Sequence, residues 1–207
     1  MTLVQMVWPI RRARMIGQNY AISTGFLAIA GSRCYQVPRS LNVHTGWDLN
    51  GPGVDWKTPI QALLGGKVLF AGFSRVWGNI VVIWHPEIKH TTRIGHFEQI
   101  NVKAGQTVVK GQLLGLMGGG PHVSSGGFVQ PDGTRTSYSS HVHFDAFKDL
   151  PPNNNYAYWN GVAFDPNNPA QSNTVGLRNV KAVYVPPKEL FALGGITNIV
   201  HEGGCPL

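Results

Sequence analysis

The sequence predicts an all-β chain, a mainly antiparallel sheet with little helix. Three observations carry this. Apolar and polar residues alternate with a period of two through several segments, the pattern of half-buried strands. Glycine (26 residues) and proline (14 residues) are abundant, and many fall between those segments as turn formers. No helical periodicity is strongly marked before residue 187. With 207 residues, 43% of them hydrophobic and 13% charged, the chain has the composition of an ordered domain rather than a disordered one. A chain of this length buries roughly 70% of its unfolded surface, enough for a core without added staples.

Taken in order, residues 1–40 read as an irregular N-terminal segment leading into the domain, 41–166 as the domain itself, and 167–207 as a C-terminal extension. Residues 61–64, 67–73 and 79–84 read as strands, with turns at Gly65-Gly66 and from Ser74 to Gly78. Residues 90–98 form another. Residues 100–116 read as a pair of short strands around Gly105-Gln106. Phe128 to Thr136 reads as a small hairpin over Pro131-Asp132-Gly133, placed where a loop beside a site shapes specificity. The stretch from Tyr138 to Phe147 alternates as a strand. Near the end, 180–185 reads as a strand and 187–194 as a short helix, with proline early and glycine at its close.

The formal net charge is +7. Surplus positive charge favours encounter with anionic polymers, nucleic acid or cell wall alike. The only dense basic cluster is Arg11-Arg12-Ala13-Arg14. No recognition helix, zinc finger or RNA-binding signature accompanies it, so no nucleic-acid partner is expected. No apolar stretch is long enough for a membrane-spanning helix, and no membrane partner is expected. Residues 21–31 come nearest to a signal segment, but Ser23, Thr24 and Gly25 interrupt them, and no export signal is expected. Cys34 and Cys205 either pair or stand as free thiols.

The chemistry centres on His141-Val142-His143-Phe144-Asp145. On a strand, residues two apart share a face, so His141, His143 and Asp145 stand together. Upstream, His44-Thr45-Gly46-Trp47-Asp48 offers an imidazole and a carboxylate. The surrounding Asn42, Asn50, Gly51, Pro52 and Gly53 argue against a helix there. His44, Asp48 and one of His141 or His143 give two nitrogens and one oxygen. That set suits zinc with an open fourth position for water, the pattern of a catalytic site. Were both histidines ligands, the ion would be closed to water. Asp145 either orients a histidine or is a plain strand-end carboxylate. Trp47 reads as packing beside the site, and His85, His90, His122 and His201 as structural or solvated.

These motifs resemble the lysostaphin-type (LytM-like) family of zinc peptidoglycan endopeptidases. The family carries H-x-x-x-D and H-x-H, matched here by His44/Asp48 and His141/His143. Between them, Thr58 to Ala62 and Gly65-Gly66-Lys67-Val68 resemble the family's strand after the first motif. Gly78 to His85 resembles its G-N-x-V-x-I-x-H strand, and Gly95-His96-Phe97 its G-H-L segment. Val102 to Gly115 resembles its V-x-x-G-x-x-V-x-x-G-Q-x-I-G hairpin. The likeness covers roughly residues 40–148 and, in that order, is specific. Residues 162–166 resemble the segment that closes family domains. The chain departs near Arg93, where the family usually has tyrosine.

The resemblance implies a lysostaphin-type peptidase fold with a groove over the sheet and a zinc cofactor held by His44, Asp48 and His143. It implies that His141 is off the metal, as base or oxyanion partner, with His96 beside it. The implied activity is hydrolysis of peptide bonds in bacterial peptidoglycan. With no export signal read, a wall enzyme would be delivered by a phage virion or by cell lysis, with residues 167–207 available to dock on virion or tail proteins. Two other readings compete. One is an inactive structural or regulatory member of the fold, such as a phage tail component, but such members usually lose ligands and all four motif positions are present here. The other is a lipoyl-like carrier hairpin at Val102 to Gly115, but Lys103 and Lys110 are misplaced for it and the His/Asp set goes unexplained.

Overall fold

A computed structural model describes residues 4–11, 15–16, 19–24, 44–49, 56–74, 77–119, 128–129, 135–136, 140–150, 184–201 and 205. Among them the strands are β1 (Met15–Ile16), β2 (Asn19–Thr24), β3 (Trp47–Leu49), β4 (Pro59–Gln61), β5 (Gly66–Ser74), β6 (Gly78–His85) and β7 (His90–Ile100). There follow β8 (Thr107–Val108), β9 (Leu113–Met117), β10 (Phe128–Val129), β11 (Arg135–Thr136), β12 (Val142–Lys148), β13 (Tyr184–Val185), helix α1 (Pro187–Leu193) and β14 (Ile199–His201). The main sheet runs β1-β2-β3-β12-β7-β6-β5-β8, and its pairings are antiparallel along that path. The expected all-β antiparallel architecture is the one the chain adopts.

The long strands β5, β6 and β7 form the floor of the sheet. Their β-branched and aromatic residues pack well on a pleated surface, and Val68, Val81, Ile83, Ile94 and Phe97 are buried in the core. Next to β7 lies β12. Its alternation puts Val142, Phe144 and Ala146 into the core, which leaves His143, Asp145 and Phe147 on the opposite face.

The C-terminal elements complete this sheet. β13 pairs with β12 through Ala146↔Val185 and Phe147↔Tyr184. β14 pairs in parallel with β2. Helix α1 starts with Pro187 in its first turn and stops at Gly194. Its Phe191 lies 4.9 Å from Trp8, 5.7 Å from Trp47 and 5.1 Å from Phe144, ring centre to ring centre. Burying an aromatic ring this fully is worth about 1.5–3 kcal/mol, so α1 fastens the end of the chain beneath the strand that carries Asp48.

Several local expectations change. The apolar run 61–64 is strand only to Gln61; Ala62 exchanges backbone bonds with Gln112 and Gly111 outside any strand. Residues 100–116 do not form a hairpin around Gly105. The chain turns at Gly105 and again at Gly111, both with positive φ. As a result β8 pairs with β5, whereas β9 pairs with β4 and β7. The strands β10 and β11 do pair, Phe128↔Thr136 and Val129↔Arg135; the turn between them lies outside the described residues, as do 162–166 and 180–183. Cys205 is buried and disulfide-bonded, while Cys34 lies outside the described residues.

Candidate metal centre

Sheet register builds the centre. β3 and β12 are antiparallel neighbours with Asp48 directly opposite His143, and directly opposed residues on one face have side chains in contact. His44 enters just before β3, across a bend at Gly46. A Cβ at Gly46 would sit 2.1 Å from the Phe144 carbonyl oxygen, so only glycine lets the loop approach β12 this closely. The result is a convergence of three ligand-type atoms. His44 Nε2 lies 3.0 Å from Asp48 Oδ1 and 3.0 Å from His143 Nδ1, and His143 Nδ1 is 3.3 Å from Asp48 Oδ1.

This geometry suits a metal ion. Bonds of about 2.0–2.1 Å in a tetrahedron place ligand atoms about 3.3–3.4 Å apart, close to the separations seen. His44, Asp48 and His143 all lie at or below 8% exposure, so the donors are held by packing rather than by solvent. Burial opposes ionisation of Asp48, yet His44 and His141 nearby, with the ring nitrogens of His143 and His44 in hydrogen-bond contact, hold its carboxyl well below the usual range. It therefore stays an anionic donor.

His141 precedes β12 by one residue and is not one of the converging three. Its Nε2 lies 3.7 Å from Asp48 Oδ1, and its ring stands edge-on to His96 at 4.7 Å between centres. His96 gets there through a β-bulge. Register between β6 and β7 slips between the pairs Asn79↔Phe97 and Val81↔Ile94, and His96 has φ 69°. Bulges beside sites re-aim side chains, and left-handed backbone at a non-glycine residue costs of order 1–3 kcal/mol, retained where function uses it. The Trp77 carbonyl accepts from the His96 backbone N–H at 3.2 Å and pairs with its ring Nδ1 at 3.0 Å. Nδ1 must then carry the proton, which leaves Nε2 as the ring's acceptor. Burial first, and then His141 and His143, push the His96 pKa well below 6.5, so the ring is neutral.

Behind His143 lies a second cluster. Asp145 Oδ2 lies 3.1 Å from His143 Nε2 and accepts from Arg93 Nη2 at 2.5 Å and from Thr45 Oγ1 at 3.3 Å. Arg93 lies directly opposite Asp145 in the β7–β12 register. Its guanidinium is 4.6 Å from the Trp77 ring and 5.2 Å from the Phe147 ring. Burial favours the neutral acid, but Arg93 and His143 keep the Asp145 pKa low. Burial likewise pushes down on His143, yet Asp145 and Asp48 raise it. Tyr184 brings its phenol within hydrogen-bonding reach of Arg93 and Thr45, and burial raises its pKa to about 12.

The structure thus brings His44, Asp48, His143, His141 and His96 together. Trp47 is buried on Phe191. His85 is an internal structural residue bonded to Gly65 and Thr92, and His90 pairs with the Ile88 carbonyl. His122 lies outside the described residues, as does the side chain of His201. Sequence reasoning gave no role to Trp77 or Tyr184 and noticed Arg93 only as a departure.

An uncharacterized lipoprotein of Escherichia coli, YgeR, is 33% identical over 96 residues, 42% of this chain and 38% of its own. An uncharacterized protein of Haemophilus influenzae is 29% identical over 105 residues, 46% of this chain and 25% of its own. The chain therefore spans well under half the length of these relatives. Among solved structures, the antimicrobial peptidase lysostaphin from Staphylococcus simulans superposes with a TM-score of 0.54 at 19% identity, over 91% of this chain and 55% of that one, a likeness of fold. The model of peptidase family M23 matches residues 42–166, a span that runs from just before His44 past Asp145, and the chain belongs to that family.

Proposed function

We propose that this chain is a zinc-dependent endopeptidase that hydrolyses peptide bonds in bacterial peptidoglycan. The observation that carries the reading is the convergence of His44 Nε2, Asp48 Oδ1 and His143 Nδ1 within 3.0–3.3 Å of one another, with two more imidazoles beside them and outside the set. Zinc bound there would polarise a carbonyl and bring the pKa of bound water down towards about 7. His44, Asp48 and His143 would hold the ion. His96, neutral and with an acceptor at Nε2, takes up a proton. His141, 3.7 Å from the Asp48 carboxylate and outside the ligand set, donates to developing negative charge. Peptidoglycan as substrate is supported by the family, by the fold shared with an antimicrobial peptidase and by the net charge of +7, which suits an anionic wall.

Metal analysis of the purified protein and digestion of sacculi, with mass spectrometry of the fragments, test this. One zinc per chain and released peptide fragments are expected. His143→Ala should lose zinc and hydrolysis together. His141→Ala should keep zinc and lose hydrolysis by roughly 10²–10⁴-fold. A protein that binds no zinc, or a His141→Ala variant that empties the metal site while His143→Ala keeps it, would overturn the assignment.

A further inference from the structure

Two carboxylates flank the His143 ring. Asp48 Oδ1 is 3.3 Å from Nδ1, and Asp145 Oδ2 is 3.1 Å from Nε2. A neutral imidazole has one N–H, and either carboxylate can claim it. If Asp48 does, Nδ1 is protonated and has no lone pair to give. If Asp145 does, Nδ1 is free and faces His44 and Asp48. The competence of the centre therefore depends on which carboxylate wins.

We propose that Arg93, Asp145 and Tyr184 form a positioning network that holds His143 with Nε2 protonated and Nδ1 turned into the ligand cluster. Asp145 is wholly buried and sits directly opposite Arg93, and the Arg93 guanidinium and the Thr45 hydroxyl both bond its Oδ2 and fix it beside Nε2. Arg93 is in turn held between the Trp77 and Phe147 rings. Tyr184 closes the network, reaching Arg93 and Thr45 from β13. The pieces come from β7, the loop before β3, β12 and β13, so a residue of β13 acts on a ligand carried by β12. Carboxylate partners of this kind fix the tautomer of a ligating histidine.

The test uses two measurements. The first is the ring ¹⁵N shifts of His143 in metal-free wild-type protein, at a pH alkaline enough for the ring to be neutral. They should show the proton on Nε2; a proton on Nδ1 overturns the network outright, whatever the variants do. The second compares wild type with Arg93→Met/Asp145→Leu, which removes both charges and so leaves no unpaired ion. In that variant the proton should move to Nδ1, shared with Asp48, and zinc affinity measured against a chromophoric chelator should fall about 10–100-fold. Arg93→Met/Asp145→Asn restores an acceptor without charge and should bring the proton back to Nε2. A double variant that melts cooperatively, keeps Nε2–H and binds zinc as wild type does would show the cluster to be packing alone. The zinc arm rests on the metallopeptidase reading, whereas the ring measurements need no metal. A protein that binds no zinc would defeat that reading and still leave the network to be decided by the shifts.

Discussion

Acid should weaken this fold through a residue far from the chemistry. His85 closes β6 and is wholly buried. Its Nδ1 is 2.9 Å from the Gly65 carbonyl oxygen and its Nε2 is 2.8 Å from Thr92 Oγ1. Nδ1–H therefore donates to the carbonyl, and Nε2 accepts from the threonine hydroxyl. Both nitrogens are satisfied in the neutral ring, and a second proton would meet a hydroxyl that already donates. Burial first, with a smaller push from His90 and against the Gly65 bond, lowers the pKa from 6.5 to about 4. Between those values the unfolded chain binds a proton that the folded chain refuses. Stability is thus fully present above pH 6.5, declines as pH falls towards 4 and levels off below it. At about 1.36 kcal/mol for each pH unit the whole drop is about 3 kcal/mol, a large part of a typical domain's stability.

The assay is denaturant unfolding across pH 4–7.5 in the presence of a chelator, for wild type and His85→Gln. Glutamine can donate and accept but does not titrate in this range. Wild type should lose stability more steeply than the variant, by about 1.4 kcal/mol per pH unit within the window. Other histidines act on both proteins alike and cancel in the difference. Parallel curves would refute the reasoning, because they would mean that His85 takes up its proton in the folded state as easily as in the unfolded chain.

Gly46→Ala would put a Cβ 2.1 Å from the Phe144 oxygen, an atom that cannot step aside, so β3 should part from β12. Unfolding should cost about 1–3 kcal/mol less, and zinc binding measured on the same sample should weaken in parallel. Phe191→Ala should lower stability by about 3–5 kcal/mol in denaturant melts, since the ring fills the space between Trp8, Trp47 and Phe144. His96→Ala should keep zinc and lose hydrolysis by roughly 10²–10⁴-fold. His96→Gly should lose as much activity yet unfold about 1 kcal/mol less easily than His96→Ala, because glycine accepts the positive φ.

The long strands could be read from the chain because their patterns are long enough to repeat. The expected segment 79–84 became Gly78–His85, and 90–98 became His90–Ile100. The failures share a cause. Ala62, Leu63 and Leu64 are buried, as an apolar run suggests, yet none is in a strand. Periodicity reports burial, and pairing is decided by what lies alongside. Around Gly105 the sequence shows one obvious turn, but Gly111 supplies another that sends β9 to a different partner. β13 falls within the expected strand 180–185, but β14 has only three residues, too few for any pattern to stand out.

The site divides along the same line. His44, Asp48, His141 and His143 sit in two compact motifs, and the residue types alone suggest a metal. Their support lies elsewhere in the chain. Arg93 meets Asp145 across 52 positions, and nothing in either neighbourhood announces the other. Trp77 and Tyr184 are ordinary aromatics until the sheet places one beside Arg93 and His143 and the other beside Arg93 and Thr45. The same register that sets Asp48 against His143 sets Arg93 against Asp145. A slip of one residue in β12 would turn its ligand face into the core and end both contacts at once. The ligand set and its support are therefore held by one physical fact, the seating of β12 between β3 and β7. That is why a change as small as a methyl group on Gly46 should be felt at the metal.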